Sequence, residues 1–325
     1  MDNLTLIFDD YSITPSETYR RGFWMRIFGS FFTLSMGIMS VLGNLVVVLT
    51  YFWDETLRKA TGNLFLVSLS IIDAVTGLFG TIPLSAAIAC DYWPFGDRLC
   101  KFHNGIYYSC TSSSSLHVLL ISIDRAIAVT QPLRYPDIVS PRRALLLCAL
   151  LFCNGACVMI AVMVFDFSRY HYSEGTCVFD SKIYETRFMS IPSIFAYYFV
   201  TAVGIGICNS LIVFEVVQKK KNKLFIKTDK VPGKDSYSSR LNKTILSMIA
   251  IAVVFYVTTF PYAILEIVDI LSDEGVSERL NYSLSLLTYL CPAVNPFIYG
   301  ILRKDYRNAY KNFPRVLMRK IRGLD

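Results

Sequence analysis

Residues 26–54 read RIFGSFFTLSMGIMSVLGNLVVVLTYFWD, with a charge at each end and none between. A soluble helix of that length shows a polar stripe; this one has no charged stripe at all. About 20 helical residues rising ~1.5 Å each cross a hydrocarbon core of ~30 Å, so the stretch is long enough to span a bilayer. Six similar blocks follow. The intervals 101–124, 143–166, 187–215, 243–266 and 279–303 carry no Asp, Glu, Lys or Arg between their end residues, and 59–91 carries only Asp73. The whole chain of 325 residues is 54% hydrophobic and 18% charged, against roughly 25% charged in a soluble protein. That balance argues against an ordinary cytosolic enzyme and against disorder, which needs low hydrophobicity and high net charge. Backbone groups in lipid must be satisfied within their own segment. The expected fold is therefore an all-α membrane protein, a seven-transmembrane helix bundle. Seven soluble core helices are the alternative, and the missing polar faces disfavour it.

Seven spans put the termini on opposite sides. With the N-terminus outside, the outer segments hold nine Lys and Arg and the inner segments 23. That asymmetry predicts an extracellular N-terminus and a multi-pass protein of the plasma membrane. The net charge of +7 then belongs to the cytoplasmic face, where it suits membrane lipid and an acidic partner; nucleic acid is not an expected partner. The first 25 residues contain Asp2, Asp9, Asp10 and Glu17 and no basic start followed by an apolar run, so no cleavable signal is expected. Asn3-Leu4-Thr5 is a glycosylation sequon on the outer tail. The sequon at Asn281 lies close to the bilayer, and the one at Asn242 is cytoplasmic. The expected division is an extracellular tail over 1–27, the bundle over 28–302, and a cytoplasmic segment over 303–325.

Of nine cysteines, six fall within spans, where a thiol packs as a small hydrophobe. Cys90, Cys100 and Cys177 lie on the oxidising side. A Cys100–Cys177 bond would pin the loop between spans four and five across the mouth of the bundle; pairing of Cys90 with either is the alternative. Asp73 is the deep ionisable group, and such a group is a functional hypothesis by default. Asn44, Ser114 and Asn295 stand at comparable depth. One carboxylate with neutral oxygens suits a small cation such as sodium, and a protonated Asp73 in a hydrogen-bonded cluster is the other open reading. Asp124-Arg125 closes span three. Asn295-Pro296-Phe297-Ile298-Tyr299 closes span seven, where Pro296 removes a backbone donor and Asn295 is expected to reach the freed carbonyls. Pro261 breaks span six, six residues after Phe255.

Gly43-Asn44, Leu69-Ser70-Ile71-Ile72-Asp73, Cys100, Asp124-Arg125-Ala126, Pro132-Leu133-Arg134-Tyr135, Phe255 with Pro261, and Asn295-Pro296-Phe297-Ile298-Tyr299 occur in order, one per element. From about residue 28 to 313 the chain resembles the class A (rhodopsin-like) G-protein-coupled receptors. Any single motif is weak; seven in register are specific. Ser115-Leu116-His117 through Tyr135, and Trp93-Pro94-Phe95-Gly96, look most like amine and trace-amine receptors. The resemblance implies an extracellular ligand and a heterotrimeric G protein as partners. It implies that Arg125 is restrained by Asp124 and then turns to the G protein, that Tyr299 swings inward, and that Asp73, Ser114, Asn44 and Asn295 form the sodium pocket. It also implies a short amphipathic eighth helix carrying Tyr306, Tyr310 and Phe313 opposite basic residues.

The departures are chemical. Tyr107 stands where amine receptors carry the aspartate that pairs with an ammonium. Ala126 replaces an aromatic, Phe152 falls near a missing tryptophan, Thr259 stands where tryptophan is usual, and Leu241 stands where some receptors place an acid. Span five has Pro192 near its outer end and no mid-helix proline. Tyr289 takes the place of the Schiff-base lysine of light-sensing members, so retinal is not expected. The pocket is expected from His103, Tyr107, Tyr108, Thr111, Glu266, Ser285 and Tyr289, an aromatic cage with Glu266 as the anchor for a cationic ligand; Glu266 solvated at the rim is the alternative. A seven-helix channel or transporter is the competing function. It would need further in-membrane charges or paired repeats, and neither is visible. No metal cluster or nucleophile–base pair in the spans points to an enzyme, and no cofactor beyond a sodium ion is expected.

Overall fold

In the computed structural model the described residues are 21–165, 168–172, 174–179, 190–225, 246–247, 249–272 and 276–321. Among them seven helices are long and apolar enough to cross a membrane: α1 (Phe23–Trp53), α2 (Gly62–Cys90), α3 (Asp97–Thr130), α4 (Pro141–Val164), α5 (Ser190–Lys219), α6 (Ile249–Leu271) and α7 (Glu278–Leu302). An eighth, α8 (Lys304–Ile321), follows. The helices overrun the charge-free blocks: α1 begins at Phe23, so the expected boundary at 28 falls inside it. Asn3 lies outside the described residues, as do Leu241 and Lys243.

Local chemistry sets the helix ends. Asp91 closes α2 in the left-handed conformation, where a short polar side chain is tolerated. Ser140 caps α4 ahead of Pro141 in its first turn. Large apolar side chains stand exposed along the bundle wall, among them Phe31, Leu145, Val203 and Ile301. Exposure of that extent marks a face built for an apolar surrounding. Between helices the packing relies on small residues, as expected where lipid is as apolar as leucine. A Cβ on Gly77 would stand 2.9 Å from the Gly37 carbonyl oxygen and from Ser40 Cβ, and the Ser40 hydroxyl donates to the Asp73 carbonyl at 2.7 Å.

Among the described residues four spans depart from regular α-helix, α6 by the expected break, which falls at Thr259 two residues ahead of Pro261. Residues Thr76–Thr81 of α2 and Phe195–Val200 of α5 are π-helical. In α7 the break falls at Tyr289, ahead of Pro292, while Pro296 sits inside the continuous helix Leu290–Leu302. The loop after α4 is not a plain strap. Strands β1 (Ser168–His171) and β2 (Thr176–Phe179) pair antiparallel, with Tyr170 opposite Cys177. The Cys100–Cys177 disulfide, with Cα atoms 5.4 Å apart, fastens β2 to the first turn of α3, and Cys90 is free and exposed.

Helix α8 turns its aromatic face back onto the bundle. Tyr306 is fully buried beside Tyr299, and Phe313 stacks on Trp53 at 5.0 Å between ring centroids. Buried Arg303 fixes the corner, donating to Asn63 Oδ1 at 2.6 Å and to Asp305.

Candidate functional site

Helix α3 links the two ends of the site. Tyr107, Thr111, Ser114, Val118, Ile121 and Arg125 recur every three or four residues, so they share one face. Eighteen residues at ~1.5 Å separate Tyr107 from Arg125 by ~27 Å.

At the disulfide end, the Tyr108 hydroxyl donates to Glu266 Oε1 at 3.2 Å. Glu266 is thus engaged by the bundle and not merely solvated. The turn between the two strands carries Glu174 inward, where Tyr262 donates to its Oε2 at 2.6 Å. Burial raises the Glu174 carboxyl above its ordinary value; His171 and the Tyr262 hydrogen bond pull it back, and Asp269 adds repulsion. Tyr107 packs between Tyr108 and Tyr289, with ring centroids at 5.4 and 5.9 Å. Beneath Tyr107 and Tyr289 a cavity of about 40 Å³ runs past Thr111 and Ser114 to Asp73 and Asn295. A second, of about 170 Å³, lies between α3, α4 and α5, with Tyr108, Val162 and Tyr198 in its wall.

Three expected pocket residues, His103, Glu266 and Ser285, line neither cavity. His103 turns to the π-helical turn of α2, where a ring nitrogen meets the Gly80 carbonyl at 2.9 Å, and its other nitrogen is 3.4 Å from the Thr176 hydroxyl. That ties α3 to α2 and to the hairpin. Ser285 donates to the Tyr282 carbonyl of its own helix at 3.0 Å.

Mid-bundle, Asp73 is fully buried and accepts from Ser114 at 3.2 Å and from Asn295 at 2.8 Å. Asn44 does not join them. Its amide donates to the Ser40 and Pro292 carbonyls, each at 2.9 Å. The reason lies in Pro296: without an N–H it cannot bond the carbonyl four residues back, which is that of Pro292. Asn44, not Asn295, satisfies that carbonyl. Gly43 makes room, since a Cβ there would stand 3.0 Å from the Pro296 ring.

At the opposite end, Arg125 Nε donates to Asp124 Oδ2 at 2.7 Å, and Nη2 reaches the same oxygen. The Tyr135 hydroxyl donates to Asp124 Oδ1 at 2.7 Å and accepts from Arg125 at 3.2 Å. Burial raises the Tyr135 hydroxyl above its ordinary value against the pull of Arg125, so it stays a donor. A Cβ on Gly62 would overlap the Arg125 guanidinium and lie 2.7 Å from Asp124 Oδ2. Phe255, in the wall of the smaller cavity, and Tyr299 are both buried.

Tyr135, Gly62 and Glu174 escape a reading for function in the sequence. Tyr135 belongs to a motif that marks the element without giving its partner; a glycine opening a helix and an acid in a loop carry no signal by themselves. Arg21 escapes too. It is buried between α1 and the hairpin, donating to Asp91 at 2.9 Å and to the Tyr170 hydroxyl at 2.8 Å.

A bundle of seven spans, a disulfide-fastened hairpin at one end and an acid–arginine–tyrosine cluster at the other define a membrane receptor. The profile of the 7 transmembrane receptor (rhodopsin family) matches residues 43–299, and the chain belongs to that family, the class A G-protein-coupled receptors. Among its relatives, the histamine H2 receptor of Rattus norvegicus is 25% identical over 279 residues, covering 84% of this chain and 75% of that protein. The 5-hydroxytryptamine receptor 2C of Homo sapiens is 24% identical over 326 residues, covering 86% and 70%. Dopamine receptor 1 of Drosophila melanogaster is 26% identical over 307 residues, covering 84% and 59%. The protein is thus a G-protein-coupled receptor, and the channel or transporter alternative is not favoured.

Proposed function

We propose that this receptor lies in the plasma membrane with its disulfide end outside, binds a small cationic ligand there with Glu266 as the counter-charge, and signals to a heterotrimeric G protein through Arg125. The Lys and Arg asymmetry between the two faces supports the orientation. The observation that carries the ligand reading is the Tyr108–Glu266 hydrogen bond beside Tyr107 and Tyr289. It sets one carboxylate among aromatic faces, an arrangement that favours an ammonium. The relatives named above are named for histamine, 5-hydroxytryptamine and dopamine, and all three molecules are amines. Tyr107 nevertheless removes the customary carboxylate. Leaving a buried ammonium without its charged partner costs roughly 3–5 kcal/mol, or about two to four decades in affinity. Common biogenic amines therefore bind poorly here unless they reach Glu266 or Asp269.

The test is ligand-stimulated nucleotide exchange on purified G protein. Glu266→Gln weakens a cationic agonist and leaves a neutral one unchanged, and Tyr107→Asp raises the potency of ordinary amines. Potent activation by an ordinary amine that survives Glu266→Gln together with Asp269→Asn discards the anchor.

Asp73 supports a second element of this reading, a sodium ion. Asp73, Ser114 and Asn295 offer oxygens to one cavity of about 40 Å³, and the Asn295 Oδ1 there is buried without a hydrogen-bond partner among the described residues. A single water needs ~10–15 Å³, so the volume accommodates a small cation with a water. Asn44, turned to backbone carbonyls, stands outside this set. An ion bound there in the restrained state opposes agonist binding by mass action.

A further inference from the structure

Glu266 does not stand alone. Among the described residues the charged groups that bear on it are Glu174 and Asp269, both acidic. Among the same residues those that bear on Glu174 are His171 and Asp269, with Tyr262 donating to it and Asn281 alongside. Glu174 is nine-tenths buried although it belongs to a loop. The disulfide at Cys177, three residues on, holds the hairpin that carries it. Two carboxylates in a shared low-dielectric site cannot both stay ionised alone; without a ligand one takes up a proton, and a bound cation lets both carry charge.

A second observation points the same way. The Tyr289 hydroxyl lies beside Thr176 and within electrostatic reach of Glu174, is buried, and completes no hydrogen bond among the described residues. A buried donor–acceptor left unmade costs free energy that a bound polar group restores. A metal ion is a poor fit, because among the described residues no three His, Cys, Asp or Glu converge as a ligand set. Instead α6 presents, one turn apart on one face, the tyrosine that grips Glu174 and the carboxylate Glu266 itself. Tyr262 holds Glu174, and Glu266 comes four residues later, about 6 Å along the axis.

We propose that Glu174 and Glu266 form a two-point anchor selecting a ligand with two cationic centres, an aliphatic diamine of four or five carbons, over a monoamine of the same length. The extended chain of such a diamine spans about one helical turn, and the tyrosine faces of Tyr107, Tyr108 and Tyr289 cover its ammonium groups. The hairpin thus contributes half of the ligand's charge recognition. This deepens the Glu266 reading and rests on it.

The experiment uses the purified full chain in detergent. Butylamine, 1,4-diaminobutane and 1,5-diaminopentane are titrated at constant ionic strength, and apparent affinity is read from the rise in unfolding temperature. 1,4-diaminobutane is expected to bind at least tenfold more tightly than butylamine. Glu174→Gln removes that advantage and leaves the butylamine affinity in place; Glu266→Gln weakens both. Glu174→Asp, which keeps the charge and retracts it by one carbon, shifts the preference to 1,5-diaminopentane. Equal affinity for diamine and monoamine in the unmutated receptor overturns the two-point anchor and leaves the single anchor at Glu266 standing. So does a Glu174→Gln variant that loses both amines in parallel, since Glu174 is then only a prop for the hairpin. If neither amine binds, or Glu266→Gln changes neither, the Glu266 reading fails and the diamine with it.

Discussion

Tyr135→Phe removes one hydroxyl from the Asp124–Arg125 cluster and leaves its ring in place. The lost bond is the 2.7 Å donation to Asp124 Oδ1. A hydrogen bond to a charged group is worth about 1.5–3 kcal/mol, and half-burial of Tyr135 places this one near the lower end. If the bond exists only while Asp124 holds Arg125, its loss shifts the balance toward the released arrangement by that amount. About 1.4 kcal/mol is tenfold in an equilibrium, so an agonist-free active fraction of ~1% becomes ~10%. Arg125 retains its own contact to Asp124 Oδ2 at 2.7 Å, so the variant is more active without being unrestrained. The assay is agonist-free nucleotide exchange on purified G protein, normalised to receptor number. Basal exchange unchanged or lowered in Tyr135→Phe would refute the argument that this hydroxyl restrains Arg125.

Further outcomes follow from the same geometry. Cys177→Ser frees the hairpin and lowers surface expression or ligand response, whereas Cys90→Ser does little; peptide mapping that finds Cys90 bonded to Cys100 or Cys177 would contradict this. Added sodium, against a potassium control, lowers agonist affinity in the unmutated receptor, and Asp73→Asn abolishes that dependence; affinity flat in sodium sinks the cation site. Burial raises the Glu174 carboxyl above its ordinary value of 4.5, so the docked hairpin favours the neutral form. That stabilisation is complete below the ordinary value and is lost as pH rises through the raised one, with a slope of at most ~1.4 kcal/mol per pH unit. Unfolding temperature of the ligand-free receptor should therefore fall across that interval, and Glu174→Gln should flatten it; an identical profile in the variant removes Glu174 as its source.

The seven spans were legible because charge is expelled from hydrocarbon residue by residue, and that leaves a mark in the chain itself. The disulfide and the Asp124-Arg125 pair were legible for a similar reason: the residue types carry the chemistry. Partners set by helix rotation were not. Asn44 and Asn295 look equally suited to Asp73, yet the carbonyl freed by Pro296 claims Asn44. His103 precedes Tyr107 by one turn, yet the π-helical turn of α2 draws it away from the pocket. A proline count finds Pro296 and misses that α7 breaks ahead of Pro292. Glu174 reads as an ordinary loop acid until the hairpin register, with Tyr170 opposite Cys177, shows how the turn enters the bundle.

The most direct test requires no ligand. Receptor reconstituted in lipid nanodiscs is mixed with purified heterotrimeric G proteins of the main classes, and agonist-free nucleotide exchange is measured for Tyr135→Phe and for Tyr135→Phe with Arg125→Ala. The account predicts that the single variant raises exchange on at least one G protein, and that adding Arg125→Ala returns it to the receptor-free rate while the protein remains folded. Exchange that persists undiminished without Arg125 would contradict the claim that this receptor signals through it.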